Sequence, residues 1–268
     1  MEMAKIRNIT IVALLLVNVF FLSMIVTGRI KEAGRGKEIY SAVSEACERQ
    51  NIVLLEDSFV TDESVAAYNA VRDTAKERAI TQSLIGSSEM TEQGGNINVF
   101  RNDKGSVTFR SSGGFSAEIS EAGVSGHSAA SKASSLMKKM GLEYGSVYED
   151  GEAAFVCCAE NGKDIFNCVL RMDFGYDGSV SISGMLPQPV ASSKNTRIAV
   201  SEATAVTAVI AAVKNGDAAF RAIEEIDLGY ISSYSVFGDS ILSPVWRIST
   251  DHGQYYVDVV TGEVENVG

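Results

Sequence analysis

The sequence has little histidine and no recognisable catalytic motif. Its two histidines, His127 and His252, each stand beside a glycine in a turn- or cap-like setting, where a solvated polar role is the ordinary one. No G-x-S-x-G, H-E-x-x-H or phosphate-binding loop occurs. The glycine cluster "SSGGFS" at Ser111–Ser116 is accounted for by a turn or bulge. The acidic pair Glu224-Glu225 reads as a solvated helix surface. These absences exclude the common hydrolase and nucleotide-dependent chemistries. The chain reads as non-enzymatic, with no catalytic residue, cofactor or metal.

Cysteine is also sparse. Cys47, Cys157, Cys158 and Cys168 show none of the C-x-x-C spacing of zinc or redox sites. Cys157 and Cys158 are neighbours on an expected strand, so they point to opposite faces. A two-residue turn at Asn161-Gly162 would set Cys168 opposite Phe155, with Cys157 as a diagonal neighbour. Two readings stay open: a Cys157–Cys168 disulfide in an exported domain, or buried free thiols acting as small hydrophobes.

Charge is absent from one long stretch, Asn8 to Gly28. Within it Ile9–Val26, "ITIVALLLVNVFFLSMIV", is almost wholly apolar. A bilayer core of about 30 Å needs roughly 20 such residues in a helix. A signal peptide's apolar region is shorter, about 7–15 residues, and "VTG" at Val26–Gly28 is a poor cleavage site. We expect a retained transmembrane helix over 9–28, after a cytoplasmic tail of 1–8, with the bulk of the chain extracytoplasmic. Basic residues flank both ends, so the orientation rests on the short tail staying inside. Asn18 lies near the centre of the span and Ser23 further along. An amide there seeks a partner, so Asn18 and Ser23 are candidates for contact with another membrane helix.

Residues 1–37 hold six Lys/Arg against two Glu, a net +4, which leaves −15 of the total −11 to the remainder. An acidic ectodomain on a basic stem excludes nucleic acid as a partner.

The rest reads as α+β. A helix is expected over 37–50, a strand at "NIVLLEDSFV", and an Ala-rich helix from a Thr61-Asp62 cap to about Ile80. Ser87–Gly95 reads as loop. A hairpin with a longer turn follows around Asn102–Gly105, then a strand at "GGFSAEIS". This is the membrane-proximal part, 29–126. In the middle unit, 127–190, Ala133, Leu136, Met137 and Met140 give a helix closed by Gly141. Three strands follow, with turns at Asn161-Gly162 and Asp177-Gly178, until Pro187 and Pro189. The C-terminal unit, 191–268, has a helix from Ser201 to Gly216 with Ala203, Val206, Ile210 and Val213 on one face. Strands are expected near Asp227–Phe237, Val245–Thr250 and Tyr255–Val260. Residues 128–187 and 201–267 thus repeat one order: a helix laid on about three antiparallel strands.

The end of the chain is strongly specified. In "PVWRIST", Trp246 and Ile248 share one face, and Val245 and Arg247 the other. Tyr255, Val257 and Val259 alternate with Tyr256, Asp258 and Val260, and Thr261-Gly262 makes a second corner. We expect the hairpin to be first a fold-closing element, with Trp246 packed under a helix; strand addition at its exposed edge is a lesser alternative.

"P-x-W-R-I … Y-x-V-D-x-x-T-G-E-V" resembles the end of a PepSY-like domain, on Pro244, Trp246, Tyr256, Asp258, Thr261 and Gly262. With the N-terminal span and the "GSVTFRSSGGF" hairpin, the whole chain resembles YycI-type regulatory proteins of Gram-positive bacteria. The resemblance implies a single-pass membrane protein with PepSY-like extracytoplasmic units. It implies action with a YycH sister protein on a sensor histidine kinase (WalK, or YycG) of a two-component system controlling cell-wall metabolism. It brings no catalytic residues. An alternative from the PepSY-like end is an inhibitor or chaperone of a secreted peptidase. A third reading is a structural envelope protein.

Overall fold

The computed structural model describes residues 37–57, 59, 65–196, 200–216, 219–235 and 239–267, with backbone alone at 194–196, 266 and 267. The expected span Ile9–Val26, with Asn18 and Ser23, and the Thr61-Asp62 cap lie outside these residues. No helix among the described residues is long and apolar enough to cross a membrane.

The described chain begins with α1, over 37–49, then β1 (Val53–Leu54) and β2 (Val65–Ala70). It then builds one order of elements three times. The first unit is α2 (Thr74–Leu84) followed by β3 (Glu89–Gln93), β4 (Ile97–Asn102), β5 (Gly105–Arg110) and β6 (Gly114–Ile119). The second is α3 (Ala129–Met140) with β7 (Tyr144–Asp150), β8 (Ala153–Glu160), β9 (Lys163–Phe174) and β10 (Val180–Met185). Strand β11 (Val190–Thr196) leads to the third, which is α4 (Glu202–Asn215) with β12 (Ala222–Tyr234), β13 (Ser240–Thr250), β14 (Gly253–Asp258) and β15 (Val264–Val267). The repeat is therefore a helix and four strands, and it has three copies.

Local chemistry explains the helix ends. Asp73 caps α2 by accepting the Ala75 N–H at 2.8 Å. Ser128 and Ser131 form a reciprocal capping box on α3. Ser201 caps α4, and Gly141 and Gly216 end α3 and α4.

Several expectations are corrected. The Ala-rich stretch before Asp73 is strand β2, because its backbone pairs with β11 on one side and β13 on the other. Pairing outweighs alanine's helix preference there. "NIVLLEDSFV" forms only the two residues of β1, parallel to β12. The expected loop Ser87–Gly95 contains β3, and the hairpin at Asn102–Gly105 closes tightly, with Asn102 paired to Gly105. The second unit gains β7. Glu224-Glu225 lies on β12, at a register shift between Ile223 and Glu225, and not on a helix.

The fifteen strands of the described residues form one continuous sheet. The first two units supply eight antiparallel strands in the order β7-β8-β9-β10-β6-β5-β4-β3. Both α2 and α3 lie on one face, where Ile80, Leu84, Leu136, Met137 and Met140 bury against Phe100, Phe115 and Ile182. In the third unit, α4 and α1 cover β13 and β14 through a second core containing Val43, Val206, Ile210, Trp246 and Ile248. The parts meet where β12 runs parallel beside β9 at Tyr230 and Ile165. Asn167 completes that seam. Its amide donates to the Ser232 carbonyl at 2.8 Å and accepts the Ser232 N–H at 2.9 Å.

This gives a first expected result. Asn167→Ala leaves two backbone groups of buried Ser232 unpartnered, at about 1–3 kcal/mol in total. Chemical denaturation should read this as a lower midpoint with an unchanged slope.

The turn Asn161-Gly162 forms as expected, both residues taking positive φ. The cysteine geometry does not follow from it. The β8–β9 register shifts between Cys157 and Ala159, so Cys157 faces Val169. Cys158 and Cys168 lie in the helix-side core, whereas Cys157 lies on the opposite face. A Cys157–Cys168 bridge is therefore ruled out by face, and all four cysteines are free and buried.

Candidate interaction surface

The closing hairpin, β13 and β14, is built into the core on both faces. On the helix side Trp246 pairs across from Val257, and Ile248 from Tyr255. The Trp246 indole N–H donates to the Val200 carbonyl at 2.9 Å, and the Val200 N–H donates to the Val259 carbonyl at 2.9 Å. The segment leading into α4 is thus strapped to the hairpin by Val200.

On the other face Tyr256, Val245 and Phe166 of β9 form a small buried cluster. Arg247 lies beside it, 4.4 Å from the Phe166 ring centre. Its guanidinium bonds Asp227 at 2.5 and 3.2 Å and comes within 3.6 Å of Glu225. Burial works against the guanidinium's charge, but the Asp227 bonds outweigh it and its pKa rises. Tyr256 closes the cluster by donating to Gln254 Oε1 at 2.8 Å.

The remaining motif residues shape the corners. The Asp258 carboxylate accepts the N–H groups of Val260 and Thr261 at 2.8 and 2.7 Å. Thr261 Oγ1 accepts the Glu263 N–H at 3.2 Å, and Gly262 turns at φ +75. Pro244 stands where β13 changes neighbours, from β2 at Ser240–Leu242 to β14 from Val245 on. Its carbonyl accepts from Val259 on that side, so its missing N–H faces the changeover, where no ladder bond is lost. Pro244, Trp246, Tyr256, Asp258, Thr261 and Gly262 all hold structure. The alternative of strand addition at the hairpin's own edge finds that edge covered: β13 is paired on both sides, and β14 lies between β13 and β15. Among the described residues β15 is the outer strand there, with β14 as its one strand neighbour.

The reactive residue types are scattered. His127 is exposed at a cleft of ≈ 440 Å³ with Lys132, Glu152 and Tyr176; His252 is exposed at a second cleft of ≈ 780 Å³ with Asn51, Phe220 and Arg221. His252 Nδ1 lies 3.1 Å from Asp251, whose carboxylate already accepts the Arg221 and Ala222 N–H groups. Those backbone bonds hold the Asp251 pKa below its usual value. Among the described residues, no three His, Cys, Asp or Glu side chains gather to hold a metal.

Burial pushes the Cys157 thiol up to about 12, with Asp164 adding to the rise, and burial pushes Cys168 up to about 11 against its bond to Tyr234. Cys47 and Cys158 are raised by burial as well. At pH 8 a thiol of pKa about 12 is ionised to about one part in ten thousand. Thiol-specific reagents should therefore leave the folded protein unlabelled over hours and count all four thiols in guanidinium; rapid labelling of the folded chain would contradict this burial.

What the surface does offer is aromatic and edge-like. Tyr148 is 62% exposed and stacks on Phe155 at 4.7 Å and 7°, with Arg171 over the far side of Phe155 at 5.7 Å. This ladder crosses β7, β8 and β9 on the face away from the helices. It was missed in the sequence because β7, "YGSVYED", lacks an apolar alternation. Every residue of the edge strand β3 is exposed, with Glu89 and Glu92 along it.

The fold and surface define a class: a sheet-dominated α+β protein of three helix-and-four-strand units, presenting strand edges and exposed aromatics. No family model and no curated protein matches the chain. Two solved structures are similar. An uncharacterized protein from Eubacterium rectale matches over 77% of this chain and 86% of its own, at 10% identity and a TM-score of 0.46. The C-terminal domain of Bacillus megaterium YpeB matches over 74% of this chain and 99% of its own, at 12% identity and a TM-score of 0.37.

Proposed function

We propose that the chain is a single-pass, membrane-anchored accessory regulator that acts outside the cytoplasm on a sensor histidine kinase of the WalK/YycG type. It works beside a YycH-like sister protein and without catalysis of its own. The observation that carries this reading is the apolar run Ile9–Val26, with a central amide at Asn18, placed ahead of the closing motif that resembles YycI-type proteins.

The mechanism follows from linkage. A regulator shifts a kinase between two states only through unequal contacts with them. A hydrogen bond between membrane helices contributes roughly 0.6–2 kcal/mol, about 3- to 30-fold in an equilibrium constant. Asn18 could supply a contact of that size to one kinase state, while the ectodomain holds the sister protein.

Asn18→Leu keeps the span apolar and removes the amide. It should change kinase-dependent transcription by about 3- to 30-fold and weaken kinase co-purification, with membrane insertion unchanged. Unchanged output and unchanged co-purification would remove Asn18 from the mechanism.

A further inference from the structure

Segments far apart in sequence meet at one end of the third unit around a cleft of ≈ 780 Å³. They are the turn after α1, the last turn of α4, the entry to β12 and the turn between β13 and β14. The volume suits a small ligand or the end of a chain. Val213 and Phe220 give the cleft apolar surface. Phe220 is buried and rests against Tyr255, with ring centres 5.5 Å apart. Gln50, Asn51, Arg221 and His252 supply polar groups, and no described residue of the lining is acidic.

Asp251 arranges the two basic residues. Its Oδ1 accepts the Arg221 and Ala222 backbone N–H groups at 2.8 and 3.1 Å, and its Oδ2 lies 3.1 Å from His252 Nδ1. It thereby holds the Arg221 backbone and the His252 ring. With Nδ1–H donated to Asp251, Nε2 of neutral His252 is left as an acceptor. Among the described residues no hydrogen bond or ion pair engages the Arg221 guanidinium. By contrast Arg72, Arg171 and Arg247 each lie on a carboxylate. The Cys47, Glu48 and Val213 carbonyls at the nearby helix ends are already taken by backbone N–H groups.

We propose that this cleft binds the C-terminus of a peptide that ends in an apolar residue. The Arg221 guanidinium takes the terminal carboxylate through paired N–H groups. His252 Nε2 accepts the N–H of the last residue, and the Gln50 or Asn51 amide donates to the carbonyl before it. The terminal side chain lies on Val213 and Phe220. Capture of a chain-end carboxylate is one of the recurring modes of peptide recognition. The cleft carries a free cation on a chain of net charge −11, so the attraction is local and works within a screening length. The site does not depend on the kinase reading.

The test uses the full-length protein in lipid nanodiscs, with isotope-labelled histidine followed by NMR. The chain has two histidines, so His252 reports on the cleft and His127 is an internal control. N-acetyl-leucine should move the His252 signal saturably, with a Kd of about 5 mM or tighter, and leave His127 in place. N-acetyl-leucinamide lacks the carboxylate and hexanoate lacks the amide; each should bind at least about tenfold more weakly. Arg221→Gln keeps the backbone bonds to Asp251. It should weaken N-acetyl-leucine at least about tenfold and move the melting temperature by less than about 2 °C. No saturable shift of His252 by about 50 mM ligand overturns the proposal. So does equal binding of N-acetyl-leucinamide, or an Arg221→Gln protein that binds like the parent. Hexanoate binding as tightly as N-acetyl-leucine would mark a site for simple carboxylates and overturn the peptide assignment.

Discussion

Trp246→Ala lowers the melting temperature by about 6–20 °C. The indole is 4% exposed in the core between α4 and the closing hairpin, and its N–H satisfies the Val200 carbonyl. Truncating a buried Trp costs about 3–5 kcal/mol through lost burial and the cavity left behind. In a chain of this size each kcal/mol is worth about 2–4 °C. Trp246→Phe separates the terms: it keeps most of the apolar volume and loses the bond, so about 1–2 kcal/mol should go. Thermal unfolding followed by circular dichroism measures both. A shift under about 2 °C for Trp246→Ala would mean that the hairpin is not the element that closes the third unit.

Gly184→Val should do at least comparable damage, about 4 kcal/mol or more. Gly184 lies in β10 between Leu170 of β9 and Phe115 of β6, at the seam joining the first two units. Its φ is +146, a conformation that side chains rarely adopt. A Cβ there would run into the Val169 carbonyl oxygen and meet the Leu170 Cα at 3.1 Å. Both obstacles are backbone in the middle of a sheet, so neither can move aside cheaply. Ser183→Val, one residue earlier and exposed, should stay within about 0.5 kcal/mol. Hydrogen exchange should show lost protection in β6, β9 and β10 for Gly184→Val alone.

Such residues show what a sequence can reveal. The helices α3 and α4 were legible because caps, apolar spacing and terminal glycines agreed at each end. The closing hairpin was legible because its faces alternate cleanly and its corner residues are specific. Strand β2 was not, because "VAAYNA" has helix-forming residues and its pairing partners lie more than a hundred residues away. β3 and β7 were missed because edge strands with exposed side chains lose the alternation that marks a half-buried strand. With those strands missing, the third copy of the repeat stayed hidden.

The interaction surface divided the same way. Trp246 is buried under a helix face because its neighbours in sequence set its direction. The Arg247, Asp227 and Phe166 group needs the register of β13 on β12 and the crossing of β9, which no local pattern encodes. Cys157 and Cys168 fell on opposite faces because of a register shift in β8–β9 that the turn residues do not announce.

Regulation of a histidine kinase through a membrane anchor at Ile9–Val26 is our proposal. In-cell crosslinking and pull-down of the full-length protein, beside a control whose first 28 residues are replaced by an unrelated single span, tests it most directly. A sensor histidine kinase should be recovered with the native first 28 residues and lost with the replacement. Recovery of a secreted peptidase with either anchor, and of no kinase, would contradict it.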